Sequence, residues 1–223
     1  YNKRCLQFKD GQLALKSAME LDQFVSTEMR NHSKFIDLKL LSDVCSAATL
    51  WYQGESIAPV QILKRVLSVS GANTQNFEKV RPSESYISSL LVEYLSKSRQ
   101  MLPMKIYQSY VLPYKANLEL LSSFEERSKI YYTLGEFFYK HAKTLLTNSD
   151  LKFKQKQFRK YQQELKDLEL LYYNSKSQSE KKDASKYFKI MQDQLAQEKQ
   201  ALKDYDYEKR LFVYHCLEHF AKA

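Results

Sequence analysis

A small polar turn separates two apolar helical runs early in the chain, within WYQGESIAPVQILKRVL, residues 51–67. Gly54 predicts the end of the first helix, because glycine readily adopts the left-handed conformation that closes a helix. Ser56 can cap the following helix, and Pro59 is tolerated in its first turn, where amide hydrogens lack partners. The stretch therefore predicts a helix–turn–helix hairpin, which is the unit of an α-solenoid.

The scarcity of turn-forming residues extends this prediction to the whole chain. The 223 residues include four Gly and four Pro, whereas all-β chains need many tight turns built on these residues. A hydrophobic share of 43% is enough for a packed core. We expect an all-α fold, with an α-solenoid of tetratricopeptide- or HEAT-like hairpins over residues 1–148 and two long antiparallel helices over residues 149–223.

The spacing of apolar residues predicts which helix faces point inward in the first part of the chain. Four runs are expected to bury the following residues: Leu13, Ala14, Ala18, Leu21 and Phe24; Ile36, Leu40, Val44, Ala47, Ala48 and Trp51; Val60, Leu63, Val66 and Leu67; Ile130, Leu134, Phe137 and Phe138. Trp51 and Tyr94 each come late in the first helix of a hairpin, and their separation of 43 residues suits a helical repeat. Pro113 is expected to kink or split its helix.

A seven-residue recurrence marks the second part of the chain. Its members are Leu151, Phe158, Leu165 and Tyr172, and then Phe188, Leu195 and Leu202. The segment NSKSQSEKKD, residues 174–183, reads as a polar break between them. Two such helices can pair as an antiparallel hairpin with a coiled-coil-like seam. Phe212 is expected to continue that seam, which would keep the hairpin rigid.

The charge distribution and the cysteines bear on the kind of partner and on the compartment of the protein. The net charge of +9 divides into +5 before Asp150 (19 basic, 14 acidic) and +4 from there onward (16 basic, 12 acidic). Because the excess is spread out, solvated helix faces explain it better than one binding face. Cys5, Cys45 and Cys216 lack metal-type spacing and read as reduced thiols of an intracellular protein. No run approaches the length of a membrane span. A chain that opens on Tyr1 and stops inside an apolar helical pattern is expected to be an excerpt of a longer protein.

Two segments carry candidate chemistry. HCLEH, residues 215–219, places two histidines four apart with a glutamate between them, as in inverted zinc peptidases. A catalytic zinc site needs a third protein ligand, and none is marked by the sequence, so helix-end histidines are the preferred interpretation. The run KFKQKQFRKYQQ holds five basic residues between Lys152 and Lys160, but Phe158 and Tyr161 are already used by the seam. A solvated face is preferred there over contact with nucleic acid or an acidic partner.

Motifs for catalysis are absent from the sequence. It has no phosphate-binding glycine loop, no kinase catalytic loop and no nucleophile elbow. We therefore assign no catalytic, cofactor-binding or metal-binding residues to this segment. Thr74 and Ser177 each precede Gln, so a kinase with that preference could reach them, but such dipeptides also arise by chance.

The second half resembles the FAT region of the phosphatidylinositol-3-kinase-related protein kinases. The resemblance rests on FFYKHAKTLLTNSDLKFKQKQFRKYQQELKDLE and YFKIMQDQLAQEKQALKDYDYEKRLFVYHCLEHFAKA, and on the order of two preceding helix pairs, from Leu41 onward. It is closest to the ATM branch, and the Lys, Asn and Tyr richness is similar to that of a budding-yeast orthologue. Pro113 departs from that pattern, and residues 1–40 match it less well.

The resemblance implies a regulatory scaffold without a cofactor of its own. The parent would be a nuclear Ser/Thr protein kinase acting on Ser/Thr-Gln sites in DNA-damage signalling and telomere maintenance, with ATP and Mg bound C-terminal of this segment. Implied partners are its own kinase domain, an N-terminal helical solenoid, a second copy in a homodimer and a DNA-end-sensing complex. No membrane or direct nucleic-acid contact is implied. The alternatives left open are a free-standing helical-repeat adaptor that binds a protein partner and a basic helical nucleic-acid binder.

Overall fold

The computed structural model describes residues 11–30, 35–70, 82–119, 121, 123–148, 150–174 and 178–223. Every secondary-structure element within these ranges is helical. The elements are α1 (Gly11–Thr27), α2 (Phe35–Tyr52), α3 (Ile57–Ser70), α4 (Glu84–Ser98), α5 (Pro103–Ile106), a π-helix (Tyr107–Val111), a 3-10 helix (Leu112–Tyr114), α6 (Lys115–Leu118), α7 (Phe124–Thr147), α8 (Asp150–Asn174) and α9 (Gln178–Lys222). The predicted all-α fold is confirmed. None of the described helices combines the length and apolarity that a membrane span requires.

The chain divides into two compact units. The first consists of residues 1–137 together with 216–223, and the second of residues 138–215. Helices α7 and α9 therefore contribute residues to both units. The boundary at residue 148, which the sequence suggests between solenoid and long helices, stays a prediction.

The first predicted hairpin is present in the first unit. Gly54 has a φ of +92°, which is the left-handed conformation that favours glycine at a helix end. Pro59 is the third residue of α3, so its missing amide hydrogen costs no intrahelical bond. The predicted inward face of α3 is buried: Val60, Leu63, Val66 and Leu67.

The buried faces of α1 and α2 include the predicted Ala14, Ala18, Leu40, Val44 and Ala47, but three large residues of the prediction are exposed. Leu13, Phe24 and Ile36 were expected to face inward, and this is wrong, because each is 36% exposed or more. The buried positions of α1 are Ala14, Ala18 and Val25, and those of α2 are Leu40, Ser42, Val44, Ala47 and Thr49. Small side chains such as those of Ala14, Ala18 and Ala47 allow two helices to pack closely.

One carboxylate ties α1 to α2 beside this interface. Asp22 accepts hydrogen bonds from the Lys39 ammonium and, at 3.1 Å, from the Ser42 hydroxyl. The Lys39 hydrogen bond is the main reason why the pKa of Asp22 lies below its ordinary value. Asp43 makes the corresponding link to α3, where Arg65 Nη2 lies 3.0 Å from its carboxylate.

The two equivalent aromatics of the predicted repeat contact each other. The ring centroids of Trp51 and Tyr94 are 4.2 Å apart, and the ring planes differ by 8°. The second hairpin begins at Ser83, whose hydroxyl accepts a hydrogen bond from the amide of Tyr86, as an N-cap residue should. The repeat therefore stacks its late-helix aromatic residues face to face.

Pro113 interrupts its helix as predicted, and the break extends over two non-α turns. The amide of Leu112 donates to the carbonyl of Tyr107, five residues earlier, which is the π-helical pattern. A 3-10 turn carries the proline, and α6 follows it. The hydroxyl of Ser88 in α4 donates to the Tyr110 carbonyl, so a side chain satisfies a carbonyl in the distorted stretch.

Helix α7 carries the predicted inward face, and its residues Ile130, Leu134, Phe137 and Phe138 are all buried. Gly135 lies on the face of α7 where the C-terminal end of α9 approaches. A Cβ atom at Gly135 would lie 2.9 Å from the Cδ1 and Cε1 atoms of Phe220. The Phe220 ring also meets Tyr132 edge-on at 5.9 Å. The absent side chain of Gly135 thus creates the space that Phe220 occupies.

Tyr172 was expected to belong to the predicted seven-residue pattern, and this is wrong, because its side chain lies in the last turn of α8 and is 42% exposed. The other members of the pattern appear as half-buried positions along α8 and α9. These are Leu151, Phe158, Tyr161, Leu165 and Leu168 in α8, and Phe188, Met191, Leu195, Leu202 and Tyr205 in α9. Three residues separate α8 from α9, a spacing typical of helical hairpins, and the antiparallel pairing along their length stays a prediction. The expected break over residues 174–183 is shorter than predicted, because α9 begins at Gln178. The Lys, Glu and Gln residues at the start of α9 are good helix formers, so the helix includes residues that were predicted to be part of the break.

Candidate functional site

The second unit holds a cluster of four rings, here called the aromatic anchor, formed by Phe138 and His141 of α7 and Phe212 and His215 of α9. Phe138 lies 5.7 Å from Phe212 and 5.1 Å from His215 between ring centroids, and His141 lies 5.9 Å from Phe212. Phe138 and Phe212 are both fully buried. The cluster therefore fixes the long helix α9 against α7. Phe212 was predicted to continue the seam with α8, whereas the ring contacts described here join it to Phe138 and His141 of α7.

Two polar features support the aromatic anchor. Burial is the main reason why the pKa of His141 falls to about 4, and the neighbouring Lys140 lowers it further. His141 is therefore neutral at physiological pH, as a ring packed against Phe212 should be. About two turns before Phe212, the Tyr205 hydroxyl donates to the Leu145 carbonyl near the end of α7.

A second set of contacts, here called the terminal clasp, holds the end of α9 within the first unit. Glu218 accepts from the Lys115 ammonium at 2.8 Å and from the Lys222 ammonium at 3.4 Å. Lys222 also lies 5.7 Å from the centre of the Tyr131 ring, and that ring meets His219 edge-on at 5.6 Å. Since the Glu218 side chain is only 17% exposed, this ion pair is screened less than one on the surface. The clasp fastens α9 to the broken helix that follows Pro113.

The HCLEH segment does bring its three polar side chains together on one face of α9. The potential ligand atoms of His215, Glu218 and His219 lie within 4.8 Å of one another. Both histidines are buried, and the carboxylate is already engaged by the two ammonium groups of the terminal clasp. Because those positive charges oppose a further cation, the arrangement is better suited to holding helices than to holding a metal ion. The sequence-based expectation of no metal site stays a prediction.

The basic run of α8 lies on the solvent side of its helix. Lys152, Lys154, Lys156, Arg159 and Lys160 are all exposed, whereas Phe158 and Tyr161 are half-buried. Lys160 pairs with Glu164 one turn later at 3.4 Å. Exposed pairs of this kind stabilise a helix only slightly. The pattern agrees with the interpretation of these residues as the solvated flank of a seam.

Sequence reasoning found the helices but missed two of the contacts that fasten them. The aromatic anchor was signalled by Phe138 and Phe212, two residues predicted to be buried, although not as partners. The link from Lys115 to Glu218 joins residues 103 positions apart, and no local pattern indicates such a pair. Thr74 and Ser177 lie outside the described residues, as does Cys5. Cys45 and Cys216 are free cysteines, and burial raises the pKa of both thiols.

The fold and these contacts define the chain as an all-α segment of helical hairpins followed by two long helices. Its described contacts hold helices to one another. No family model matches the chain. The chain is 27% identical over 228 residues to the serine/threonine-protein kinase TEL1 of Saccharomyces cerevisiae, which covers 93% of the chain and 8% of that relative. It is 29% identical over 157 residues to the TEL1 kinase of Kluyveromyces lactis, which covers 67% of the chain and 6% of that relative.

Solved structures show the same fold. The structure described as the FAT and kinase domain of CtTel1 matches 99% of this chain and 14% of its own chain, with a TM-score of 0.64 and 17% identity. A structure described as a Tel1 kinase butterfly symmetric dimer matches 94% of this chain and 9% of its own, with a TM-score of 0.64 and 21% identity. These relatives confirm the resemblance to a FAT segment of an ATM-branch kinase. The chain spans less than a tenth of the curated relatives it matches.

Proposed function

We propose that this chain is a regulatory and scaffolding FAT segment of a nuclear Ser/Thr protein kinase. The parent would phosphorylate Ser/Thr-Gln sites in DNA-damage signalling and telomere maintenance. The similarity to TEL1 kinases over 93% of the chain supports this proposal. Because the chain makes up 8% of that relative's length, the ATP and Mg sites of the parent would lie outside it. The segment itself would take no cofactor.

The observation that carries a mechanical role is the single helix α9. It runs for 45 residues, or about 67 Å at the usual rise per residue. One part of α9 is fixed by the aromatic anchor in the second unit, and its end is fixed by the terminal clasp in the first. Both sets of contacts lie within residues 205–222, so within each unit they hold the C-terminal part of α9 to its neighbouring helix. This suits a segment that restrains or supports a kinase domain.

The proposed partners follow from the same assignment. The segment would contact its own kinase domain and the N-terminal helical solenoid of the parent, and a DNA-end-sensing complex would act on the parent as a whole. Two of the solved Tel1 structures are described as dimers, which supports a homodimer for the parent here. The exposed lysines of α8 have the character of a solvated face, so no direct contact with nucleic acid is included.

The size of the native polypeptide is the first test. An antibody against KSQSEKKDASK, residues 176–186, is used to blot a cell extract. The proposal predicts a band of several hundred kilodaltons, as relatives of this length imply. A band at the size of this chain, 26.4 kDa, would contradict it and favour a free-standing helical adaptor.

A second test connects the segment to catalysis. The full-length parent carrying Phe212→Ala is compared with wild type for phosphorylation of a peptide with a Ser-Gln site, beside a peptide in which Ala replaces the Gln. Disruption of the aromatic anchor is expected to change the rate on the Ser-Gln peptide at equal protein abundance. Lys156→Gln, on the exposed face of α8, is the matched control and should leave the rate unchanged. Equal rates for all three proteins would refute the mechanical role.

A further inference from the structure

Three serines of α4 line a small pocket under the broken helix. Ser85, Ser88 and Ser89 are each at most 3% exposed, and the pocket continues to Tyr110 and Tyr114 of the non-α turns. The apolar side is closed by Val111, Leu118, Ile130 and Leu134. Here it is called the serine pocket. The volume open to the centre of a water molecule is about 10 Å³, which is room for one water and too little for an organic ligand.

The hydrogen bonds of the three hydroxyl groups differ. Ser88 donates to the Tyr110 carbonyl, and Ser89 donates to the Tyr86 carbonyl at 2.8 Å. The Ser85 hydroxyl is buried and has no hydrogen-bond partner among the described residues. A hydroxyl group carries one donor and two acceptor sites. Ser88 and Ser89 have therefore used their hydrogens and retain acceptor sites, whereas Ser85 retains its hydrogen as well.

A buried hydroxyl without a partner is costly, and in natural proteins such groups are usually satisfied by the protein or by an ordered water. The serine pocket has the two properties that a buried water needs, namely sufficient room and between two and four polar partners. A purely apolar pocket of the same size would instead stay empty.

We propose that the serine pocket binds one ordered water molecule, which accepts the hydrogen bond of the Ser85 hydroxyl. The water donates its own hydrogens to the free acceptor sites of Ser88 and Ser89, whose hydroxyls already hold the neighbouring carbonyls. It thereby becomes part of the packing between α4 and the turns on either side of Pro113. Breaking a helix at a proline leaves space and polar groups beside the break. The water occupies the space and forms hydrogen bonds with the polar groups.

The sign of a stability change tests this proposal. Ser85→Ala is compared with wild type in the full chain by urea unfolding. If a water accepts from Ser85, the variant loses a hydrogen bond and its urea midpoint falls. If the hydroxyl is unsatisfied, its removal relieves a penalty, and the midpoint rises or stays equal, which would overturn the proposal. Ser68→Ala is the matched control, because Ser68 also lies in a helix and bonds its own helix carbonyl at Arg65, but on an exposed face. Its midpoint should not fall.

A direct observation of the water completes the test. In the ¹⁵N-labelled chain, a long-lived water is expected to give rotating-frame Overhauser cross-peaks at the amides of Ser88 and Ser89. These cross-peaks should weaken in Ser85→Ala and persist in Ser68→Ala. Their absence from the wild-type chain, with these amides assigned and protected from exchange, would refute the water site whatever the midpoints show.

Discussion

Gly135→Ala should destabilise the chain, although alanine is the better helix former. The Cβ atom would lie 2.9 Å from two ring atoms of Phe220 and 3.2 Å from a third, and real Cβ atoms do not approach other heavy atoms closer than about 3 Å. Overpacking of this kind costs about 1–3 kcal/mol. Helix propensity opposes it with a gain of about 1 kcal/mol for replacing glycine. We therefore expect a net loss of about 0–2 kcal/mol in the free energy of unfolding.

The same substitution should change sign when the ring is removed. In a Phe220→Ala background the three ring atoms that a Cβ at residue 135 would meet are absent, so Gly135→Ala should stabilise by about 1 kcal/mol from helix propensity. The four proteins of this double-mutant cycle are compared by urea titration with circular dichroism at the helical band. Relocation of the ring would not relieve the clash without loss, because it would give up the edge-on contact with Tyr132. Equal stabilisation by Gly135→Ala in both backgrounds would show that Phe220 does not occupy this space, and the reasoning would fail.

Three further predictions concern other contacts. Leu195→Asp should lower the free energy of unfolding, measured by urea titration, by about 1–2 kcal/mol, because Leu195 is half-buried and the new charge reaches some water. Phe212→Ala removes a fully buried ring and should lower it by about 3–5 kcal/mol. A larger loss in Leu195→Asp than in Phe212→Ala would contradict the burial pattern. The pKa of His141 is lowered to about 4 from 6.5, so the free energy of unfolding is unaffected by this group above pH 6.5 and falls as the pH is lowered towards 4, by at most about 3 kcal/mol. His141→Gln should therefore make the free energy of unfolding less dependent on pH between 6.5 and 4. An unchanged pH dependence would contradict the lowered pKa. Trp51→Ala should show a coupling of about 1 kcal/mol with Tyr94→Ala in a double-mutant cycle, since stacked rings add that much beyond area burial; purely additive losses would argue against the stack.

The sequence predicted the helices well where glycine and proline positions agree with the spacing of apolar residues. Gly54 and Pro59 bounded the first hairpin, Pro113 marked a broken helix, and the seven-residue spacing reappears as half-buried positions of α8 and α9. These features depend on local backbone preferences and on one face of one helix. Both are properties of a short window of residues, so they can be derived from the sequence alone.

The choice of buried face in α1 could not be predicted in the same way. Leu13 and Phe24 compete with Ala14, Ala18 and Val25 for the inward side, and hydrophobicity alone favours the larger residues. The structure buries Ala14, Ala18 and Val25 and leaves Leu13 and Phe24 exposed. That decision depends on the partner helix, which a single helical window does not contain.

The packing contacts of α9 show the same limit at longer range. The pairing of Phe212 with Phe138, and of Glu218 with Lys115, depends on which elements the fold brings together. Periodicity identified Phe212 as a buried position but assigned it to the adjacent helix α8 instead of α7. Where several helices offer apolar faces, a pattern of burial specifies that a residue is covered without specifying the residue that covers it.

The stack of Trp51 on Tyr94 has a spectroscopic consequence. Trp51 is the single tryptophan of the chain, so all indole emission arises from one point, where α2 meets α4. With the two ring centroids 4.2 Å apart and nearly parallel, light absorbed by Tyr94 passes efficiently to the indole. A movement that separates the two rings would change the surroundings of the indole and shift its emission. The intrinsic fluorescence of Trp51 therefore reports on its contact with Tyr94 without the addition of a label.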